Sequence, residues 1–154
     1  MVRLVEEKDL DALSMMESEI AVQSFGEEAV TEYAHHRKRI QKAMEKSREG
    51  MLVLEEEGEV MGWLWMSLQI NSVSMEQYIN FRSFYAKRKE NAKGELSYSE
   101  ELMQAGMEYA RSTGASRIVG KTFVSNLPMR LLYQKFHFKP THITMEYHCG
   151  DQKT

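Results

Sequence analysis

The chain of 154 residues carries a formal charge of −3, with 28% charged and 42% hydrophobic residues, which suits one globular domain with one core. Nine Gly against two Pro give no sign of disorder, and the charge is not basic enough to argue for nucleic acid. The lone cysteine, Cys149, excludes an internal disulfide; the N-terminal stretch MVRLVEEKDLDAL lacks the apolar run of a signal peptide, and residues 60–66 are too few to cross a bilayer, so a cytoplasmic location is expected.

Residues 2–5 alternate apolar and polar, predicting a short strand. Leu10, Leu13, Met16 and Ile20 then recur at helical spacing over residues 9–25, until Gly26. A second helix is expected over about residues 27–47. It turns Val30, Tyr33, Ile40, Ala43 and Met44 to one side and leaves His35, His36, Arg37, Lys38 and Arg39 as a solvated face. Adjacent histidines on a helix point apart, and neither has a further ligand four residues on, so no metal site is expected. Residues 51–54 and 60–66 form a hairpin around a Glu-rich turn containing Gly58, with Trp63 and Trp65 on one side by period two. The 12 methionines suit irregular core gaps.

Residues 78–84 alternate again, which places Ile79, Phe81 and Ser83 on one face. A Lys-rich loop follows, with Lys87, Arg88, Lys89 and Lys93. Ser97 stands three residues before Glu100, the spacing of a capping box, and opens a helix bearing Leu102, Gly106, Tyr109 and Ala110 as far as Gly114. Residues 117–123 read as a strand. Asn126 and Pro128 open a short helix with Met129, Leu132 and Tyr133. A last strand is expected over about residues 141–147, where Ile143 and Met145 alternate with Thr144 and Glu146. The expected order is β-α-α-β-β-β-α-β-α-β: an α/β (α+β) single domain over residues 1–148, a mixed sheet flanked by helices, with residues 149–154 as a tail. The unit from 77 to 123 should be a parallel, right-handed crossover. A strand feeding a loop that opens a helix is a common phosphate cradle, because the first helical N–H groups have no partner within the helix.

This order resembles the GNAT superfamily of N-acetyltransferases, which use acetyl-coenzyme A. Three stretches carry the resemblance: EEKDLDAL after the first strand, the strand–loop–helix of residues 77–110, and SNLPMRLLYQKFHF at 125–138. The last is similar to the family's signature of Asn, a helix with Leu-Tyr, then Lys-x-Gly-Phe, with His137 where Gly is common. The resemblance implies a pyrophosphate turn on Gly94, Glu95, Leu96, Ser97, Tyr98 and Ser99, with Ser97 and Ser99 at the two small positions and Lys93 supplying positive charge. It implies that main chain near Phe84 and Tyr85 holds the pantetheine arm and that Asn126 touches the coenzyme or caps its helix. It also implies that Tyr133 serves as general acid to the leaving thiolate, with Glu76 the candidate base. The implied activity is direct acetyl transfer from acetyl-CoA to a primary amine, with no metal. The expected partners are acetyl-CoA and an amine acceptor, without nucleic acid or membrane, and with homodimer formation left open. The alternative is a non-catalytic module of the same fold that binds coenzyme or a partner.

Overall fold

The computed structural model describes residues 1–25, 32–89 and 94–150. The chain forms two compact units, Met1–Phe123 and Val124–Thr154.

The first unit holds β1 (Val2–Leu4), a 3-10 turn (Glu7–Asp9), α1 (Leu10–Phe25), α2 (Tyr33–Lys46), β2 (Met51–Glu56), β3 (Glu59–Ile70), β4 (Gln77–Ala86), α3 (Tyr98–Ser112) and β5 (Arg117–Gly120). The strands lie in sequence order in one sheet, antiparallel from β1 to β4, with β5 parallel to β4. A sheet of this mixed kind flanked by helices is the architecture the sequence pattern called for. Between β2 and β3, Glu57 and Gly58 both take positive φ (52° and 79°), the conformation of a type I′ hairpin turn.

Strand alternation divides the core into two layers. Trp63 and Trp65 point toward the layer of Leu10, Leu13 and Met16 from α1 and Ile40 and Met44 from α2. Leu64 and Met66 point the other way, to α3. There a Cβ on Gly106 would lie 2.5 Å from Leu64 Cδ2 and 3.2 Å from Phe81 Cζ, so only glycine lets the helix sit this close. Leu102 and Met103 are fully buried on this side.

The start of α1 is tied down electrostatically. Arg3 donates to both oxygens of Asp9 (2.8 and 2.9 Å), and Asp9 Oδ2 also accepts from the Glu6 amide (2.8 Å). Burial pushes the Asp9 carboxyl up, but the hydrogen bonds from Arg3 and the Glu6 amide outweigh it and leave it below its ordinary value.

Several expectations need correction. Ser83 does not share a face with Phe81. The β3–β4 register slips between Trp65 and Met66: Trp65 pairs with Ser83 and Met66 with Phe81, leaving Arg82 as the extra residue of a bulge. The bulge reverses the alternation, so Phe81 faces α3 and Ser83 faces α1 and α2. The basic face of α2 is not wholly solvated either: His36 is buried with Ile40 and Met44, at spacings of four residues, and Arg39 is half-buried. The expected start of that helix, with Val30, lies outside the described residues. β5 ends at Gly120 rather than at residue 123.

In the second unit, α4 (Leu127–Lys135) forms as expected, with Asn126 as N-cap, its side chain accepting from the Met129 amide at 3.3 Å. The last strand does not form. Among the described residues no strand pairs with 141–147, and Ile143 and Met145 are 85% and 86% exposed. Alternation marks a chain able to be a strand, but a strand exists only where its main-chain groups find a partner.

Candidate active site

Parallel pairing of β4 with β5 covers only Tyr78 to Phe81, opposite Arg117 to Gly120. From Arg82 to Ala86, β4 continues while β5 has ended. Alternate residues of a strand send their N–H and C=O groups to opposite sides. Main chain around Phe84 and Tyr85 is therefore paired with β3 on one side, and on the other no strand among the described residues pairs with it.

The start of α3 lies beside this open stretch. A Cβ on Gly62 of β3 would meet the Tyr85 carbonyl oxygen at 2.6 Å and Leu102 Cδ1 of α3 at 2.8 Å, so strand end and first helical turns meet at one glycine. The Tyr98 hydroxyl bonds the Glu56 carboxylate, and the Lys89 ammonium stands 4.8 Å over the Tyr98 ring.

The turn itself is relaxed. Gly94 takes φ +91°, a position suited to glycine. Ser97 takes φ −70° and ψ 166°, ordinary extended values, so serine carries no backbone strain there. Ser97 forms the capping box foreseen in sequence: its Oγ accepts from the Glu100 amide (3.2 Å), and Glu100 Oε1 accepts from the Ser97 amide (3.4 Å). Ser99 Oγ lies 3.0 Å from Ser97 Oγ. The amides of Tyr98 and Ser99 come earlier in the helix than any i→i−4 bond. Glu95 and Leu96 are exposed. Lys93 lies outside the described residues.

The candidate base sits elsewhere. Glu76 precedes β4 at its far end, eight residues from Phe84, a separation of about 26 Å along an extended strand. Its carboxylate accepts from Arg117 (3.0 and 3.3 Å) and from the Ser116 hydroxyl. The Ser116 hydrogen bond and the Arg117 charge hold its carboxyl below the usual range. Glu76 thus braces the start of the β4–β5 pair and is not brought near Phe84 and Tyr85.

Within the second unit, the Tyr133 ring packs 4.9 Å from that of Phe138, and the Phe138 amide bonds the Tyr133 carbonyl at 2.9 Å. Burial pushes the Tyr133 phenol up to about 12, so it stays a proton donor across the neutral range. His137 takes φ +68°, the left-handed region, which explains physically why glycine suits this point of the signature.

Sequence reasoning missed a polar cluster between α1, α2, β3 and β4. Glu17, 4% exposed, accepts from Trp63 Nε1 (3.2 Å) and from Arg39 (3.0 Å). Arg39 and Arg82 stand 5.1 and 4.1 Å from the Trp65 ring centre. Nearby, the Tyr85 hydroxyl bonds Glu19, and burial and that bond push its phenol up to about 12. One signal was available: Glu17 lies four residues after Leu13 on the buried face of α1, and a buried indole N–H requires an acceptor.

Among the described residues no group of three or more His, Cys, Asp or Glu is placed to hold a metal ion, and no helix is long and apolar enough to cross a membrane.

The candidate site thus lies on a mixed five-stranded sheet flanked by helices, in an α/β fold. The model of the acetyltransferase (GNAT) family matches residues 12–138, and the chain belongs to that family. Among curated protein sequences, none matches it. Among solved structures, it is similar to a transcriptional regulator from Bacillus halodurans C-125 (17% identity, TM-score 0.75, 96% of this chain and 98% of that one). It is also similar to glucosamine-6-phosphate N-acetyltransferase from Arabidopsis thaliana (13%, TM-score 0.69, 97% of each chain). A third is the aminoglycoside antibiotic 6'-N-acetyltransferase from Acinetobacter haemolyticus (10%, TM-score 0.70, 96% and 97%). At these identities the likeness is one of fold.

Proposed function

We propose that the protein transfers acetyl from acetyl-CoA directly to a primary amine. The observation that carries this reading is the main chain of β4 beyond Phe81, which no strand among the described residues pairs on the β5 side and which is adjacent to the start of α3. In this reading the open groups near Phe84 and Tyr85 bond the pantetheine arm and polarise the thioester carbonyl. Gly94, Ser97, Tyr98 and Ser99 receive the pyrophosphate, with the Tyr98 and Ser99 amides at the helix start as donors, Glu95 and Leu96 completing the turn and Lys93 adding charge. The amine nitrogen attacks the carbonyl carbon, the C–S bond breaks, and the thiolate takes its proton from the Tyr133 phenol. The amine's proton leaves to solvent, since Glu76 stands at the other end of the strand. An acceptor with pKa near 10 is neutral only about one part in a thousand at neutral pH, so rate should climb with pH up to that value. Asn126 keeps α4 capped, which orients Tyr133.

Calorimetry with acetyl-CoA tests the coenzyme site, and absence of heat at high coenzyme concentration overturns the reading. In a thiol-release assay, Tyr133→Phe should lower kcat about a hundredfold and leave coenzyme affinity unchanged. Equal loss in both, or none in either, removes its acid role.

One observation favours a second reading, a coenzyme- or partner-binding module without turnover. The capping box and Glu100 and Glu101 in the first turn already place negative charge at the start of α3, where a pyrophosphate would sit. Coenzyme binding without thiol release over a broad amine panel would select this reading.

A further inference from the structure

The cluster around Trp65 plays no part in the coenzyme reading, yet its charges are fixed in place. Two guanidiniums, those of Arg39 and Arg82, converge on one indole ring. The one carboxylate among them, Glu17, is buried and engaged by Arg39 and by Trp63 Nε1. Among the described residues, one positive charge is left without a counterpart. Arg82 has no ion pair among the described residues, and Arg39 Nε is buried with no hydrogen-bond partner among them. Burial and the neighbouring Arg39 both disfavour the charge on Arg82. Arg82 is nevertheless exposed, so solvent-borne groups reach it. Alternation from Phe81 sends it to the side of α1 and α2, and the bulge lets Ser83 face that side beside it.

Building on the proposed acetyl transfer, we infer that Arg82 and Arg39, held against Trp65, bind an oxyanion of the acceptor, so that the preferred acceptors are primary amines carrying a carboxylate or a phosphate. A guanidinium fork matches either oxyanion with two parallel hydrogen bonds, and the indole face keeps one side of the fork free of water. Arg82 precedes Phe84 and Tyr85 by two and three residues, about 7–10 Å along the strand. That separation suits a short aminoalkyl chain with its amine at the thioester and its anion at the arginines.

The test uses ε-aminocaproate, its amide and aminobutyl phosphate. In the thiol-release assay the acid should exceed its amide in kcat/KM by about 10- to 100-fold, and Arg82→Gln should bring that ratio close to one. Arg82→Lys should restore part of it. A ratio near one in the unaltered protein, or a ratio that Arg82→Gln leaves intact, overturns the inference. Both tryptophans of the chain lie in the cluster, so their fluorescence reports binding without turnover. If no amine is acetylated, the acetyl-transfer reading falls, and fluorescence decides the inference alone. A saturable response to the acid or the phosphate ester that the amide does not give and Arg82→Gln abolishes supports it; the tighter of the two names the oxyanion. No response, or an equal response to inorganic phosphate alone, overturns it.

Discussion

The two faces of the sheet solve the same burial problem with different chemistry. Toward α3, Leu64, Met66, Ile79 and Phe81 meet Leu102, Met103, Gly106 and Ala110, an interface without a buried charge. Toward α1 and α2, Trp63 and Trp65 share their layer with Ser14, Glu17, His36 and Ser83. An apolar interface holds layers together but marks no direction within them. A buried carboxylate, two indoles and two guanidiniums place charge at defined points, at the cost of desolvation that their hydrogen bonds must offset. The α3 face carries packing alone, and the α1/α2 face carries charges at fixed points.

The largest expected effect breaks that packing. Leu102→Ala should lower stability by about 3 kcal/mol in urea unfolding, because it empties a fully buried site. Glu17→Ala should cost about 2 kcal/mol, because it leaves the Arg39 guanidinium and the Trp63 N–H without their acceptor. It should also shift tryptophan emission, which Leu102→Ala should not. An equal spectral change in both would erase the distinction between the faces. His137→Gly, in the second unit, should raise stability by about 1 kcal/mol by relieving a positive φ, without altering tryptophan emission.

The smallest effect is in acid. Asp9 has its carboxyl held below the ordinary value, so its contribution is present above the unfolded carboxylate pKa of about 4 and is lost as pH falls through the folded value. Melting temperature should therefore drop between about pH 5 and pH 2, and Asp9→Asn should flatten that slope. Glu55 and Glu6 face the same Arg3, and Glu55 is lowered by it too, so some slope should remain.

Features written in one segment were legible in sequence. The capping box of Ser97 and Glu100, the hairpin and the Asn126 cap each depend on residues a few positions apart. Features that depend on register between segments were not. The bulge at Arg82 is a property of β3 and β4 together, and it put Ser83 in the other layer from Phe81. His36 looked like part of a charged run, but its spacing to Ile40 and Met44 sends it inward. Residues 141–147 had the alternation of a strand, but alternation alone supplies no pairing partner. The start of α3 at Ser97 could be located from its local spacing, whereas the Glu17–Arg39–Trp65–Arg82 cluster draws on four elements and has no linear signature.

The placement of the two tryptophans, side by side with ring centres 5.5 Å apart, makes the chain a natural optical ruler. Both emitters sit in the first unit, and the only thiol, exposed Cys149, sits in the second. A single dye on that thiol turns energy transfer from the indoles into a direct reading of the distance between the units. Repeated with coenzyme present, the same measurement follows any change in that distance on binding, with no substitution in either unit.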